Sequence, residues 1–489
     1  MKRTLSALIL IALLAQVSCG SQPSVTDNET TTTTETTTTE TETSRIEPEL
    51  PDKKWEGYEF RVLTKGTSNV HWKSKDIVAE EENGDVINDA VYKRNLAVTD
   101  RFGVTFVDIP STNGTWNLST QARTSIMAAS DDFDMIAGGM SDVVKNLAPE
   151  GLLADLNKVP YMDLSKPWYD QNSLEQLEVD GKNFCVTGDM LIMDDDATLA
   201  VLFNKQLAEN YKLPDLYQLV NDGKWTLDAM TKYATDASAD LDNDGVMGFE
   251  DQYGLTSEAL NTYACMVTSG VQMIKRDGDD LVFNTANEKF IDAFQKSVKL
   301  NRNYDICIHS SKVTGVTDAY ADVIDPAFVG NRILFNLAGL VRVSHFRAME
   351  TDFGIIPMPK YDEAQENYYS FVSIGCANSI IIPKSATDLE RTGAIIEALS
   401  AEGYYTLREA YYDNVLKSKG ARDEESSAML DMIFANRIYD LGYMYDWGGL
   451  VAAVNALEMD GNISSTIDSK LTAAKAAMEK TLENFSSLD

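Results

Sequence analysis

From Tyr58 to Leu147 the chain switches repeatedly between two hydrophobic periods, and few folds satisfy both. Tyr58–Thr64 (YEFRVLT) alternates with the two-residue period of a strand. Asp85–Asp100 (DVINDAVYKRNLAVTD) has helical spacing, with Ile87, Ala90, Val91 and Val98 on one side. Arg94 falls on that same side, against the pattern. Val104–Ile109 predicts a second strand and Leu118–Ser130 a second helix. Asp132–Ala137 (DFDMIA) reads as a short strand and Met140–Leu147 as a helix. Strands alternating with helices predict a parallel, doubly wound α/β sheet. The middle of the chain reads as helical at Leu202–Tyr211, Thr226–Ser238, Glu288–Asn303 and Leu337–Met349. Strands return at Phe353–Ile356 and Ser379–Ile382. The last quarter reads as helix over Asp388–Glu402, Glu424–Asp440 and Asp468–Leu488. A return of α/β character after a helical middle predicts a lobe made of two separated segments. The expected division is 55–195 with 357–410 in one lobe and 196–356 with 411–489 in the other. Crossing strands would join them, with a cleft between.

The chain has 489 residues, enough for more than one domain. Its 76 acidic against 42 basic side chains give a net charge of −34. That opposes nonspecific binding to nucleic acid and to anionic membrane. The start is not part of the fold. A short basic segment, Met1-Lys2-Arg3, precedes the apolar run Leu5–Val17, which has signal-peptide length and is short for a membrane span. Ser18-Cys19-Gly20 follows. Residues 20–54 are rich in Thr and Glu, with little apolar surface to bury, and predict a disordered tether. The remaining cysteines, Cys185, Cys265, Cys307 and Cys376, have no CxxC pairing, which argues against zinc and for buried thiols.

Asp240–Asp251 (DLDNDGVMGFED) follows the order of a calcium loop. Asp240, Asp242 and Asp244 take positions one, three and five, and Gly245 takes the sharp turn at six. Val246 would offer its carbonyl at seven, and Asp251 would close the site at twelve, where Glu is usual. Hard oxygen donors at this spacing suit Ca2+ in a single structural site. Catalytic signatures are missing. The three histidines form no HExxH, and GxSxG, the P-loop and GxGxxG are absent. Thr187-Gly188-Asp189 and Asp194-Asp195-Asp196 read as surface or hinge carboxylates rather than a glycosidase pair, since such pairs arise easily among 76 acidic residues. Aromatic residues stand in polar settings: Trp72 in HWKSKD, Trp168-Tyr169 in KPWYD, and Tyr443, Tyr445 and Trp447 in LGYMYDWGGL. Aromatic plates beside carboxylates and amides are the expected furniture of a sugar pocket. Trp225, just before the helix-capping Thr226, reads as structural.

Several stretches in this order carry a family likeness. They are the leader with Cys19, FDMIAGG at Phe133–Gly139, and GLLADLNKVPYMDLSKPWYD at Gly151–Asp170. Then come VLFNKQLAENYKLPDLYQLVNDGKWTLDAM at Val201–Met230, and the acidic loop running into DQYGL at Asp251–Leu255. FGIIPMPKYDEAQENYYS at Phe353–Ser370 and SIIIPKSA at Ser379–Ala386 complete the series. The chain resembles the extracellular solute-binding proteins of bacterial ABC importers, the sugar-binding lipoproteins of family 1. The resemblance covers nearly all of the chain after residue 55. It implies a two-lobed type 2 periplasmic-binding fold with a hinge, an interlobe cleft and helices at the C-terminal end. It further implies a monomeric binding protein rather than an enzyme. Its carbohydrate ligand, most simply an oligosaccharide, would pass to a membrane permease. Cys19 would be lipidated and hold the protein at the outer face of the cell membrane, although Gln16 stands where the lipobox usually has Leu. The ligand-binding residues expected on loop position are Trp72, Trp168, Tyr169, Asp189, Tyr445 and Trp447. A binding protein for peptides or another polar solute, and a surface enzyme acting on glycans, are the competing readings.

Overall fold

The computed structural model describes residues 45–69, 71–278, 280–285, 287–416 and 424–488. Cys19, the leader and the tether up to residue 44 lie outside the described residues. The strands in chain order are β1 (Glu59–Thr64), β2 (Thr105–Pro110), β3 (Met135–Gly138), β4 (Leu199–Asn204) and β5 (Tyr253–Ser257). They continue with β6 (Ile274–Asp277), β7 (Asp280–Phe283), β8 (Cys307–His309), β9 (Ile333–Gly339) and β10 (Phe353–Ile356). The last are β11 (Ser370–Phe371), β12 (Ser379–Ile381) and β13 (Arg437–Ile438). A four-stranded sheet has the order β12-β3-β1-β2, and a five-stranded sheet the order β10-β4-β9-β5-β8. Both belong to one unit, Glu47–Asp489.

Neither sheet is purely parallel. β1 runs parallel to β2 and β3, while β12 enters antiparallel to β3 at the edge. In the second sheet β5 is parallel to β8 and β9, and β4 is antiparallel to β9 and β10. The antiparallel partners are those that arrive from distant sequence, so no crossover helix fixes their direction.

Three expected helices are corrected. Leu199–Asn204 is a central strand, so only Lys205–Asn210 of the expected Leu202–Tyr211 helix is helical, capped by the Asn204 side chain. Leu337–Gly339 likewise ends β9, and Leu340–Phe346 is a 3-10 turn rather than a helix reaching Met349. The helix begun at Glu424 stops at Ala435, and β13 follows it. Strands buried on both faces are continuously apolar and show no period to separate them from helix.

The helix Val86–Phe102 explains its misplaced arginine. Asp85 caps it, and its buried side carries Ile87, Ala90, Val91 and Val98 together with Arg94. The Arg94 guanidinium donates to the Met190 carbonyl at 2.6 Å and the Asp76 carbonyl at 2.7 Å. It thereby ties the helix to the end of the first lobe. Burial lowers its pKa to about 10. Trp225 is fully buried, and its indole donates to the Pro357 carbonyl at 2.9 Å.

Three chain segments run side by side between the sheets. Thr198 bridges Val372, Val372 N donates to the Ile438 carbonyl, and β11 pairs with β13. Arg437 fastens them. Its guanidinium pairs with Asp170 at 2.6 Å, Asp195 at 2.7 Å and Asp194 at 3.2 Å. Gly403 brings the helix Leu389–Tyr405 against this crossing, because any Cβ there would meet the Asp189 carbonyl at 2.1 Å. The C-terminal helix Ile463–Ser486 also reaches the first lobe, with Phe485 stacked on Phe184 at 5.3 Å. Removing one member of a buried charge cluster leaves the others uncompensated. Arg437→Ala is expected to cost about 3–5 kcal/mol in urea unfolding at neutral pH; a cost below about 1 kcal/mol would show that the cluster does not fasten the crossing.

Candidate functional site

In open α/β sheets a ligand lies beyond the carboxyl ends of the strands. Here the segments leaving those ends in both sheets converge on the crossing. Lys65 follows β1, Glu258 follows β5, and Arg342 lies in the turn after β9. The Lys65 ammonium is buried, donates to the Cys376 carbonyl and faces the Trp116 ring at 5.3 Å. Burial lowers its pKa to about 8, with nearby Cys376, Asp76 and Asp142 opposing. Glu258 accepts from the Tyr320 hydroxyl at 3.0 Å. The Arg342 guanidinium stacks 3.9 Å over the Tyr320 ring and pairs with Asp325 at 2.9 Å. Burial raises the Glu258 pKa, against the Tyr320 bond and the Arg342 charge.

Tyr443 supplies the third wall. Its half-buried ring packs on Phe371 at 5.6 Å and Tyr263 at 6.2 Å. Burial raises its pKa, and Cys376 and Glu258 add to the rise, which places all three in one electrostatic environment.

The segment after β1 contacts both lobes. His71 Nε2 lies 3.7 Å from Asp318, and the His71 and His345 rings are 5.0 Å apart. His345 in turn lies 3.2 Å from Asp325. Ser74 accepts from Asn378 at 2.9 Å, Lys75 pairs with Asp196 at 2.8 Å, and Asp76 accepts from Ile192 N at 2.9 Å. Trp72 sits within this segment, half-buried. The two lobes thus bring aromatic rings (Trp72, Trp116, Tyr320, Tyr443), one ammonium, one carboxylate and one guanidinium to the segments that follow their strands. Such a set can stack on an apolar ring face and bond its hydroxyls.

The expected site residues do not gather here. Trp72 is half-buried against the main core, in the segment that follows β1. Trp168 and Tyr169 are core residues, 0% and 2% exposed, and the Tyr169 hydroxyl donates to Glu397 at 2.6 Å. Tyr445 and Trp447 stack on each other at 4.7 Å inside the core, and the Trp447 indole donates to Thr481 at 2.9 Å. Tyr445 and Trp447 are spent on packing, while Trp168 and Tyr169, though buried, border the cavity that Asp189 also lines. The polar neighbours that suggested a loop are helix caps: Asp170 caps Gln171–Leu177, and Asp440 caps Leu441–Tyr445. Asp189 lies beside the crossing but lines a different cavity, with Arg408 and Tyr412. Lys65, Trp116, Glu258, Tyr320 and Arg342 had a usable signal, their position just past the strands of a mixed sheet. For Lys65 and Trp116 the signal was present, since β1 and β2 were expected; for Glu258, Tyr320 and Arg342 it exists only once β5, β8 and β9 are recognised as strands.

The acidic loop folds on itself. Asp240 accepts from Asn243 N at 2.7 Å and Gly245 N at 2.9 Å; Asp242 accepts from Asp244 N, and Asp244 from Val246 N. Gly245 has a left-handed φ of 83° that makes the turn. One oxygen from each of Asp240, Asp242 and Asp244 lies within 4.8 Å of the others. The buried Asp251 carboxylate stands outside this triplet and accepts from Leu241 N at 2.7 Å and Gly248 N at 2.6 Å. The Val246 side chain is exposed. Antiparallel bonds between Ala239 and Gln252 close the base of the loop.

No family model matches the chain, and no curated relative is found by sequence. Solved structures are similar in fold. An ABC substrate-binding protein from Listeria monocytogenes in complex with cycloalternan has a TM-score of 0.53 at 13% identity, covering 88% of this chain and 98% of that one. A sugar transporter protein from Rhizobium etli, in an open conformation, gives 0.54 at 13% identity over 88% and 100%. The maltose/maltodextrin-binding domain from Bdellovibrio bacteriovorus bound to maltotriose gives 0.52 at 14% identity over 88% and 98%. The chain therefore has the two-lobed periplasmic-binding-protein fold, with two α/β lobes joined by crossing segments.

Burial pushes the Asp189 carboxyl up to about 8, with the Arg408 charge opposing. Its unfolded value is about 4. The folded state thus holds this proton more tightly, and the stability it contributes is lost as pH rises through about 8. Asp189→Asn is expected to gain on the wild type between about pH 5 and about pH 8 in urea unfolding. A difference independent of pH across that window would contradict the burial of this carboxyl.

Proposed function

We propose that this protein captures a carbohydrate between its lobes and delivers it to the membrane permease of an ABC importer. The observation that carries the reading is the convergence of strand-end segments from both sheets on one aromatic and hydrogen-bonding frame. Lys65, Trp72 and Trp116 come from the first lobe, and Glu258, Tyr320 and Arg342 from the second. Support comes from proteins of the same fold that bind cycloalternan and maltotriose. The aromatic plates favour an oligosaccharide over a peptide. The ligand favours the closed form because only there do both lobes touch it. His71 beside Asp318 is then a contact made on closure. The reading is of binding without turnover. Cys19 carries the lipid, and the Thr/Glu-rich segment before Glu47 gives reach from the outer face of the membrane; the expected tether ends short of 54, because Leu50 packs on the first-lobe core and Lys53 pairs with Glu390. Among the described residues no helix is long and apolar enough to cross a membrane.

The test is thermal melting of the protein against a panel of oligosaccharides and short peptides. Ligand that binds only the folded state raises the melting point by mass action. A shift with one glycan class and no product formed is expected. In that case Trp72→Ala is expected to weaken the same glycan by about tenfold or more. A shift with peptides alone would overturn the carbohydrate assignment.

The reading includes Ca2+ in the acidic loop. Three carboxylates converging through one oxygen each, on a loop that turns at Gly245, fit a hard cation, with Asp240, Asp242 and Asp244 as donors. The Val246 carbonyl would add a fourth, and Asp251 shapes the loop through its backbone bonds. EGTA is expected to lower the melting point by a few degrees, and Asp242→Ala to abolish that response. Identical melting with and without EGTA in the wild type would remove calcium from the account.

A further inference from the structure

A cavity of about 390 Å3 lies beside the crossing and shares no lining residue with the strand-end frame. Its walls come from Asp189 and Asp195 on the first crossing segment, the helices Leu389–Tyr405 and Leu407–Leu416, and the helix Glu424–Ala435. Two features set it apart from a packing defect. The Asp189 side chain is half-buried, lines the cavity and accepts no hydrogen bond from the described residues. Arg408 also lines the cavity, close enough to act on the Asp189 charge, yet it forms no ion pair within 4 Å among the described residues. Its guanidinium instead stands 4.8 Å from the Tyr404 ring and 5.8 Å from the Tyr412 ring. Phe434 closes the wall at 5.3 Å from Tyr412. Asp195, by contrast, is engaged by Arg437.

A half-buried acid and a half-buried guanidinium that line one space call for a ligand that donates to one and accepts from the other. Net charge on the ligand is disfavoured. Arg408 and Arg437 repel a cation, and Asp195 and Asp431 repel an anion. Neighbouring hydroxyls on one ring satisfy both groups, and the ring's apolar face can pack on tyrosine or phenylalanine. The volume is at the lower end for small-molecule sites. We propose that this cavity is a second carbohydrate site at the hinge, taking a neutral sugar of one or two units between Asp189 and Arg408. The proposal does not rest on the cleft reading.

Calorimetric titration of the protein with glucose, galactose, xylose, maltose, cellobiose and lactose tests it. The comparison set is the wild type, Arg408→Gln, Ala435→Trp and the cleft double variant Trp72→Ala/Glu258→Gln. Ala435 is an exposed residue on the cavity rim, so its replacement fills the opening without removing a buried contact. At least one of these sugars is expected to bind the cleft double variant as it binds the wild type. The same sugar is expected to lose about tenfold or more with both Arg408→Gln and Ala435→Trp. If Arg408→Gln fails to fold, Ala435→Trp decides. Sugar affinities unchanged by Ala435→Trp would overturn the proposal, as would the absence of any binding to the wild type or to the cleft double variant. Losses confined to the cleft variant would support the cleft alone, and the longer oligosaccharides of the melting panel test that cleft separately.

Discussion

Arg437 sits buried among Asp170, Asp194 and Asp195, and the arrangement of the lobes depends on that cluster. Asp170 belongs to the first lobe, Asp194 and Asp195 to the segment leaving it, and Arg437 to the strand that returns from the C-terminal helices. Burial drives the Asp194 and Asp195 pKa values up, Asp195 to about 6, while the guanidinium pulls them back. Each charge is costly to bury alone and tolerable only with its partners. The cluster therefore fixes the segment leaving the first lobe and the returning β13 segment together against Asp170, and backbone bonds add the β11 segment beside them. Tyr439 adds a neutral tie, bonding Asp170 at 2.9 Å and Thr187 at 2.8 Å. With the crossing set, the strand ends of both sheets must face each other, and the cleft follows.

The sequence spoke clearly for elements with one face toward water, and for short apolar edge strands bounded by turn residues. The helix Val86–Phe102 and its capping Asp85 stand where helical spacing put them, and β1, β10 and β12 lie within a residue or so of the expected strands. It was silent where elements are buried on both faces, as at Leu199–Asn204 and Ile333–Gly339. Those two strands are central to the second sheet, so the residues just beyond its strands were hidden with them.

The site aromatics fail for a related reason. A Trp flanked by Asp and Lys in sequence resembles a loop residue reaching a ligand. At Trp168 the flanking Asp170 instead caps a helix and meets Arg437, and the indole turns into the core. At Trp447 the neighbouring Asp446 accepts from Val451 N at 2.9 Å, and the ring packs on Tyr445. Local polarity in sequence reports the needs of the backbone as often as those of a ligand. Position relative to the strand ends separates the two cases: Trp72 and Tyr443 lie there, while Trp168 and Trp447 do not.

The central claim is that ligand is held between the two lobes and draws them together. Small-angle X-ray scattering reads this directly, with the oligosaccharide that most raises the melting point added at saturation. A smaller radius of gyration in the presence of that sugar is the expected result. An unchanged radius with sugar demonstrably bound would contradict closure, and would place the ligand somewhere other than the cleft.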